Sequence, residues 1–94
     1  MSAQKQNNTI FVGKKPVMSY VMACLTLFQN GTPDITIKAR GRAISKAVDA
    51  AQIITKRFVP GVTVKSVDIA TELVKNLESG ATNSVSSMEI HLCK

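Results

Sequence analysis

Two short basic runs, Gly13-Lys14-Lys15-Pro16 and Lys38-Ala39-Arg40-Gly41-Arg42, hold the residues of this chain best suited to binding an anion, and Lys46 extends the second run by one helical turn. Ammonium and guanidinium groups take phosphate through charge and N–H donors, the guanidinium in a fixed fork. Residues 1–48 carry seven bases (Lys5, Lys14, Lys15, Lys38, Arg40, Arg42, Lys46) against one acid, Asp34, so 7 − 1 accounts for the whole formal net charge of +6. The remainder is neutral, with Lys56, Arg57, Lys65, Lys75 and Lys94 set against Asp49, Asp68, Glu72, Glu78 and Glu89. Such an asymmetry points to a polyanionic partner, nucleic acid first and an anionic membrane surface second.

Other chemistries find little support. His91 is the single histidine, and its alternation with Ile90 and Leu92 predicts an outward, solvated imidazole rather than a general base. No serine or cysteine has a visible base beside it, the acids are single and scattered, and Gly13-Lys14-Lys15 lacks the Gly-x-x-x-x-Gly-Lys-Ser/Thr spacing of a phosphate loop. The chain is therefore read as a non-enzyme with no catalytic residues. Cys24 and Cys93 lie far apart with no Cys-x-x-Cys spacing, which predicts no metal site and no cofactor. Cys24, inside an apolar run, reads as a buried free thiol, with a disulfide as the alternative and the cytosol as the expected compartment. One tyrosine, three phenylalanines and no tryptophan argue against stacking base after base on exposed rings and favour contact with the backbone of the nucleic acid.

These basic runs need a scaffold, and 94 residues at 45% apolar and 19% charged suffice for one core. Residues 1–8 are polar and read as a flexible leader, so the single domain spans 9–94. Thr9 to Val12 reads as a buried strand ending at Gly13, and Pro16 sits where the first residue of a helix belongs. That helix is expected to run to about Asn30, with Gly31 as its stop. Lys14-Lys15 followed by the apolar run Val17 to Phe28 imitates a secretory signal, but the run starts late and is too short to cross a bilayer, which needs roughly 20 residues.

From Asp34 to Ala39, Ile35 and Ile37 alternate with Thr36 and Lys38, the period of a strand with one covered face. From Arg42 to Phe58 the set Ala43, Ile44, Ala47, Val48, Ala51, Ile54 and Phe58 keeps a 3.6-residue period, predicting an amphipathic helix that Pro60-Gly61 ends. The rest, about 62–93, reads as a long β-hairpin with a polar tip over Lys75 to Asn83. A slip of parity in each limb predicts a bulge or strong twist in each. The order is βαβαββ, an α/β two-layer sandwich.

Crossover connections are almost always right-handed and leave their strands parallel, so the C-terminal ends of the first two strands share one edge. Lys14 and Lys15 follow one end, and Lys38, Arg40 and Arg42 bracket the other. The two runs should therefore converge, each beside a helix N-terminus that adds its own partial positive charge. With hardly any acid close in sequence, the cations are expected to stand unpaired.

The stretches from Ile10 to Val21 (Ile10-Phe11-Val12-Gly13-Lys14-Lys15-Pro16-Val17-Met18-Ser19-Tyr20-Val21) and from Ile37 to Asp49, containing Lys38-Ala39-Arg40-Gly41-Arg42-Ala43-Ile44-Ser45-Lys46, resemble the two signature blocks of the Alba family, small basic chromatin proteins of archaea. Residues 9–60 follow that pattern closely, and motifs of this length are highly specific. The resemblance implies a fold like the C-terminal domain of bacterial translation initiation factor three. It also implies a dimer and binding of double-stranded DNA and of RNA without strong sequence preference, so that DNA is coated, bridged or compacted by a cytoplasmic, chromosome-associated protein. An RNA-binding subunit of a ribonucleoprotein is the alternative.

By matching position, the resemblance makes Lys14 and Lys15 the central nucleic-acid lysines, with Arg40, Arg42 and Lys46 as backbone contacts; Lys38, which brackets the same strand end, joins them as a candidate. It makes Lys14 a candidate for acetylation, with an acetylase and a deacetylase as partners. Phe58 matches an aromatic of the contact between dimers, although on this sequence it also reads as a core residue closing the second helix. Hairpin tips in the family carry arginines or lysines for the minor groove. Here the tip has one base and one acid, Lys75 and Glu78, and its candidate contacts reduce to Lys75, Asn76 and Asn83. That departure leads to a second expectation: a divergent paralogue that forms heterodimers with a more typical Alba as well as homodimers.

Overall fold

The computed structural model describes residues 8–94, so the expected leader lies outside the described residues except for Asn8, whose carbonyl accepts the Thr36 N–H at 2.8 Å. Strand β1 (Thr9–Phe11) leads to helix α1 (Val17–Gln29) and strand β2 (Asp34–Arg40). A 3₁₀ turn (Gly41–Ala43) opens helix α2 (Ile44–Ile53), which passes into a π-helical turn (Ile54–Phe58). Strands β3 (Thr63–Lys75) and β4 (Thr82–Cys93) complete a four-stranded sheet in the order β1-β2-β4-β3. β1 and β2 are parallel; the other two pairings are antiparallel. This is the expected βαβαββ sandwich, with both helices on one face of the sheet.

The alternation in β2 produces that face. Ile35, Ile37 and Ala39 are buried and lie opposite Leu92, Ile90 and Met88 of β4, while Val21, Cys24 and Phe28 of α1 and Ala47, Ala50 and Ala51 of α2 close over them. Burying an Ile or Leu side chain contributes roughly 1.5–3 kcal/mol. Cys24 sits wholly inside this core as a free thiol, and Cys93 is also free. Burial pushes the Cys24 thiol up to about 12.

Helix α1 starts one residue later than its sequence suggests. Pro16 is the N-cap, extended at ψ 151°, and its carbonyl accepts the Ser19 N–H at 3.0 Å. At the other end the Gly31 N–H bonds to Phe28 and the Thr32 N–H to Leu27, with Gly31 at φ 91°, a paired closure that a β-carbon would strain. The second helix departs further from expectation. Val48 and Phe58 are exposed rather than part of the core stripe; at Phe58 the reason is that the Val59 N–H reaches back five residues to Ile54 and the wider turn swings the ring off the buried face.

In the hairpin the expected bulge is present in β3, where the register shifts between Val64 and Ser66, but β4 pairs without a break from Thr82 to Cys93. The slip read in β4 has another cause. Val85 belongs to the opposite face from Met88, where a β-carbon on Gly41 would meet its Cγ1 at 3.4 Å. The five outermost rungs, Thr71↔Ser86 to Lys75↔Thr82, extend past the last β2 partner and project about 17 Å. On β3 the side chains of Val64, Val67, Ile69 and Leu73 are exposed, Ile69 and Leu73 at 77% and 74%. Among the described residues no helix is long and apolar enough to cross a membrane.

Candidate nucleic-acid interface

The first basic run forms the loop between β1 and α1, and side chains from both helices hold its backbone. The Tyr20 hydroxyl on α1 accepts the N–H of Gly13 at 2.8 Å and of Lys15 at 3.0 Å. Lys46 on α2 donates its ammonium to the carbonyls of Gly13 at 3.1 Å and Lys15 at 2.7 Å. Burial raises the Tyr20 pKa, but the two N–H donors and the nearby charges of Lys46 and Lys15 outweigh it and hold the phenol below its ordinary value. Lys14 and Lys15 extend from this loop into solvent. Lys46, read from the sequence as a contact, is thus engaged with the loop through two of its three N–H donors.

The second run leaves the end of β2, where Gly41 at φ 55° allows the chain to turn into α2. Lys38 and Arg40 alternate with the core residues and therefore lie on the face without helices. The expectation of unpaired cations fails here. Lys38 meets Glu89 of β4 at 3.5 Å, and Arg40 meets Glu72 of β3 at 3.5 Å, because the hairpin brings distant acids alongside β2. Both pairs are solvent-exposed, a setting in which an ion pair contributes about 0.2–1 kcal/mol. Arg42, in the 3₁₀ turn, is exposed.

An open cleft of about 840 Å³ joins the two runs. Lys14, Lys38, Arg40, Arg42 and Lys46 line it together with Phe11, Glu72 and Glu89, giving 5 − 2 = +3 charges; Lys15 is not part of the lining. Val12 donates its N–H to the Lys38 carbonyl at 2.8 Å, so the two strand ends that carry the lysines are tied directly. Such a concentration of cations beside loop backbone suits the oxygens of phosphodiesters.

The remaining candidates lie elsewhere. Lys75 and Asn83 stand on the distal rungs of the hairpin, and Asn76 is used within the tip, its Oδ1 accepting the N–H groups of Glu78 and Ser79 at 2.8 and 3.3 Å. None of the three lines the cleft. Phe58 is 47% exposed at the end of the π-helical turn. His91 faces away from the core as expected but is not freely solvated: Thr36 Oγ1 lies 3.0 Å from Nδ1, and Asp68 and Glu89 lie 3.0 and 3.7 Å from Nε2. Ligand atoms of Asp68, Glu89 and His91 all fall within 4.8 Å of one another, a set able to hold a divalent cation and already engaged through the His91–Asp68 contact. The sequence signal for this group was the Glu89-x-His91 spacing, legible only with the register that puts Asp68 opposite Glu89.

The fold and the cleft define a class: small two-layer α/β proteins with a cationic cleft at the sheet edge where parallel strands end. Within that class the chain belongs to the Alba family, whose model matches residues 8–71. It is 55% identical over 87 residues to DNA/RNA-binding protein Alba 1 of Archaeoglobus fulgidus, covering 93% of this chain and 96% of that one. Against DNA/RNA-binding protein Alba of Methanoculleus marisnigri the identity is 51% over 87 residues, with 93% of each chain covered. Among solved structures, Alba from Thermoplasma volcanium superposes with a TM-score of 0.87 at 47% identity, covering 93% of this chain and all of the other.

Proposed function

We propose that this chain binds DNA and RNA through their phosphate backbones, as a sequence-tolerant chromatin protein that coats or bridges duplex DNA. The observation that carries the reading is the convergence of Lys14, Lys38, Arg40, Arg42 and Lys46 on one cleft. The names of the relatives, DNA/RNA-binding proteins, support it. Lys15 adds charge beside the cleft. Acetylation of Lys14 by a dedicated acetylase, reversed by a deacetylase, would remove one cleft charge and weaken binding.

The protein acts as a dimer in this reading. The row Val67, Ile69 and Leu73 on β3 exposes apolar surface along a sheet edge, and a second copy or a paralogous Alba chain covers it. In this reading the protein is chromosome-associated, which the DNA-binding names of the relatives support, and cytoplasmic. The hairpin plays the smaller part, since its tip offers only Lys75 as a cation and spends Asn76 on its own turn.

The test is a salt titration of duplex binding. Five neutralised phosphates per protomer predict that log affinity falls with log salt at a slope of about −4.5. The Lys14→Glu, Lys15→Glu variant should bind at least about tenfold more weakly and with a shallower slope. A slope near zero for the unaltered protein rules the phosphate cleft out.

A further inference from the structure

We propose that Phe11 is a stacking platform for one unpaired base, so that the cleft takes single-stranded nucleic acid in a mode distinct from its contact with duplex. The inference rests on the nucleic-acid reading of the cleft and specifies a ligand that the phosphate contacts alone do not select.

Phe11 closes a three-residue strand whose neighbours behave differently. Val12 is buried and Ile10 packs against the core, whereas Phe11 points to the helix-free face and remains 68% exposed. Its cross-strand partner is Lys38, and the row behind Lys38 on that face is polar, so no apolar side chain of the sheet covers the ring. The ring contributes nothing to the core it borders. It lines the same cleft as Lys14, Lys38 and Arg40, and the Lys38 ammonium stands 5.8 Å from its centroid, within the range of cation–π attraction.

This combination of a solvent-facing ring, a cation against it and further cations beside it matches the chemistry of a stacked nucleotide. The base presents its π-face to Phe11, and the adjoining phosphates lie among the lysines and Arg40. A duplex cannot use the ring in this way, because its base faces are already stacked and only groove edges and backbone are presented. Single strands, loops and frayed ends can. The sequence expectation that rings do not stack base after base still stands, since the cleft holds a single ring and therefore a single base.

The experiment uses the full-length protein with two probes, a short oligouridine and a mixed-sequence DNA duplex, in fluorescence anisotropy at about 0.1 M salt. Phe11→Ala should weaken oligouridine binding about tenfold more than duplex binding, and Phe11→Tyr should restore the ratio. Phe11→Trp places the only tryptophan of the chain at the site, and its emission should be quenched by oligouridine and not by duplex. An unchanged ratio in Phe11→Ala, equal loss of both ligands, or unquenched tryptophan emission with oligouridine bound overturns the proposal. An unaltered protein that binds duplex but not oligouridine overturns it while leaving the phosphate cleft intact. Failure to bind either probe removes both.

Discussion

Glu72 and Glu89 occupy the cleft as internal rivals of the phosphates, and neutralising them should tighten binding. Each carboxylate holds one cation at 3.5 Å, and both line the cleft proposed to take the nucleic acid. Displacing an exposed ion pair costs about 0.2–1 kcal/mol. A carboxylate left about 6 Å from a phosphate adds roughly 0.7 kcal/mol of repulsion in water, reduced by screening at physiological salt. Each site therefore opposes binding by about 1 kcal/mol, and Glu72→Gln with Glu89→Gln should raise duplex affinity roughly thirtyfold. The salt slope should barely move, because the number of phosphates neutralised depends on the cations, which remain. Anisotropy titrations at several salt concentrations separate the two quantities. Glu72→Gln alone is the cleaner single variant, since Glu89 also lies 3.7 Å from His91. Unchanged or weaker binding in the double variant would refute the competition and show that the carboxylates serve to aim Lys38 and Arg40.

Three further outcomes follow from the packing. If the proposed dimer forms through this row, Ile69→Asp with Leu73→Asp should shift the protein to a monomer in sedimentation at micromolar concentration without unfolding it, because both side chains are more than 70% exposed in the single chain. Tyr20→Phe removes the acceptor for two loop N–H groups and should lower stability by about 1–2 kcal/mol in urea unfolding while also weakening duplex binding. For Cys24 the folded pKa of about 12 lies above the usual 9.0, so its contribution is intact below pH 9 and is lost as pH rises toward 12, where the unfolded thiol ionises and the buried one does not. Stability should fall in that window by on the order of 1.4 kcal/mol per pH unit more in the native protein than in Cys24→Ala, measured by urea titration at each pH.

What the sequence disclosed depended on whether the cause was local. Ile35 and Ile37 announced the core face of β2, Gly31 the end of α1, and the handedness of the crossover the shared edge of Lys14 and Arg40. All of these follow from period, backbone conformation or chirality. What stayed hidden depended on contacts between distant segments. The pairing of Arg40 with Glu72 spans 32 positions and exists only once the hairpin register is set. The wide turn after Ile53 leaves no mark in the apolar period, so Phe58 looked like core. Lys46 was legible as a cation beside the cleft, but its grip on two carbonyls more than thirty residues away was not.

That grip has a thermodynamic consequence. Fixing the backbone of a loop residue costs about 1–2 kcal/mol in conformational entropy. Tyr20 and Lys46 bond the backbone of Gly13 and Lys15 on both its donor and its acceptor side, so this ordering is completed during folding rather than at encounter with a ligand. Within this loop, the side chains of Lys14 and Lys15 are what remains to be immobilised when phosphate arrives. Core-packed helices thus carry the rigidity that a glycine-containing loop could not supply for itself, and folding stability and binding affinity are coupled through one phenol and one ammonium.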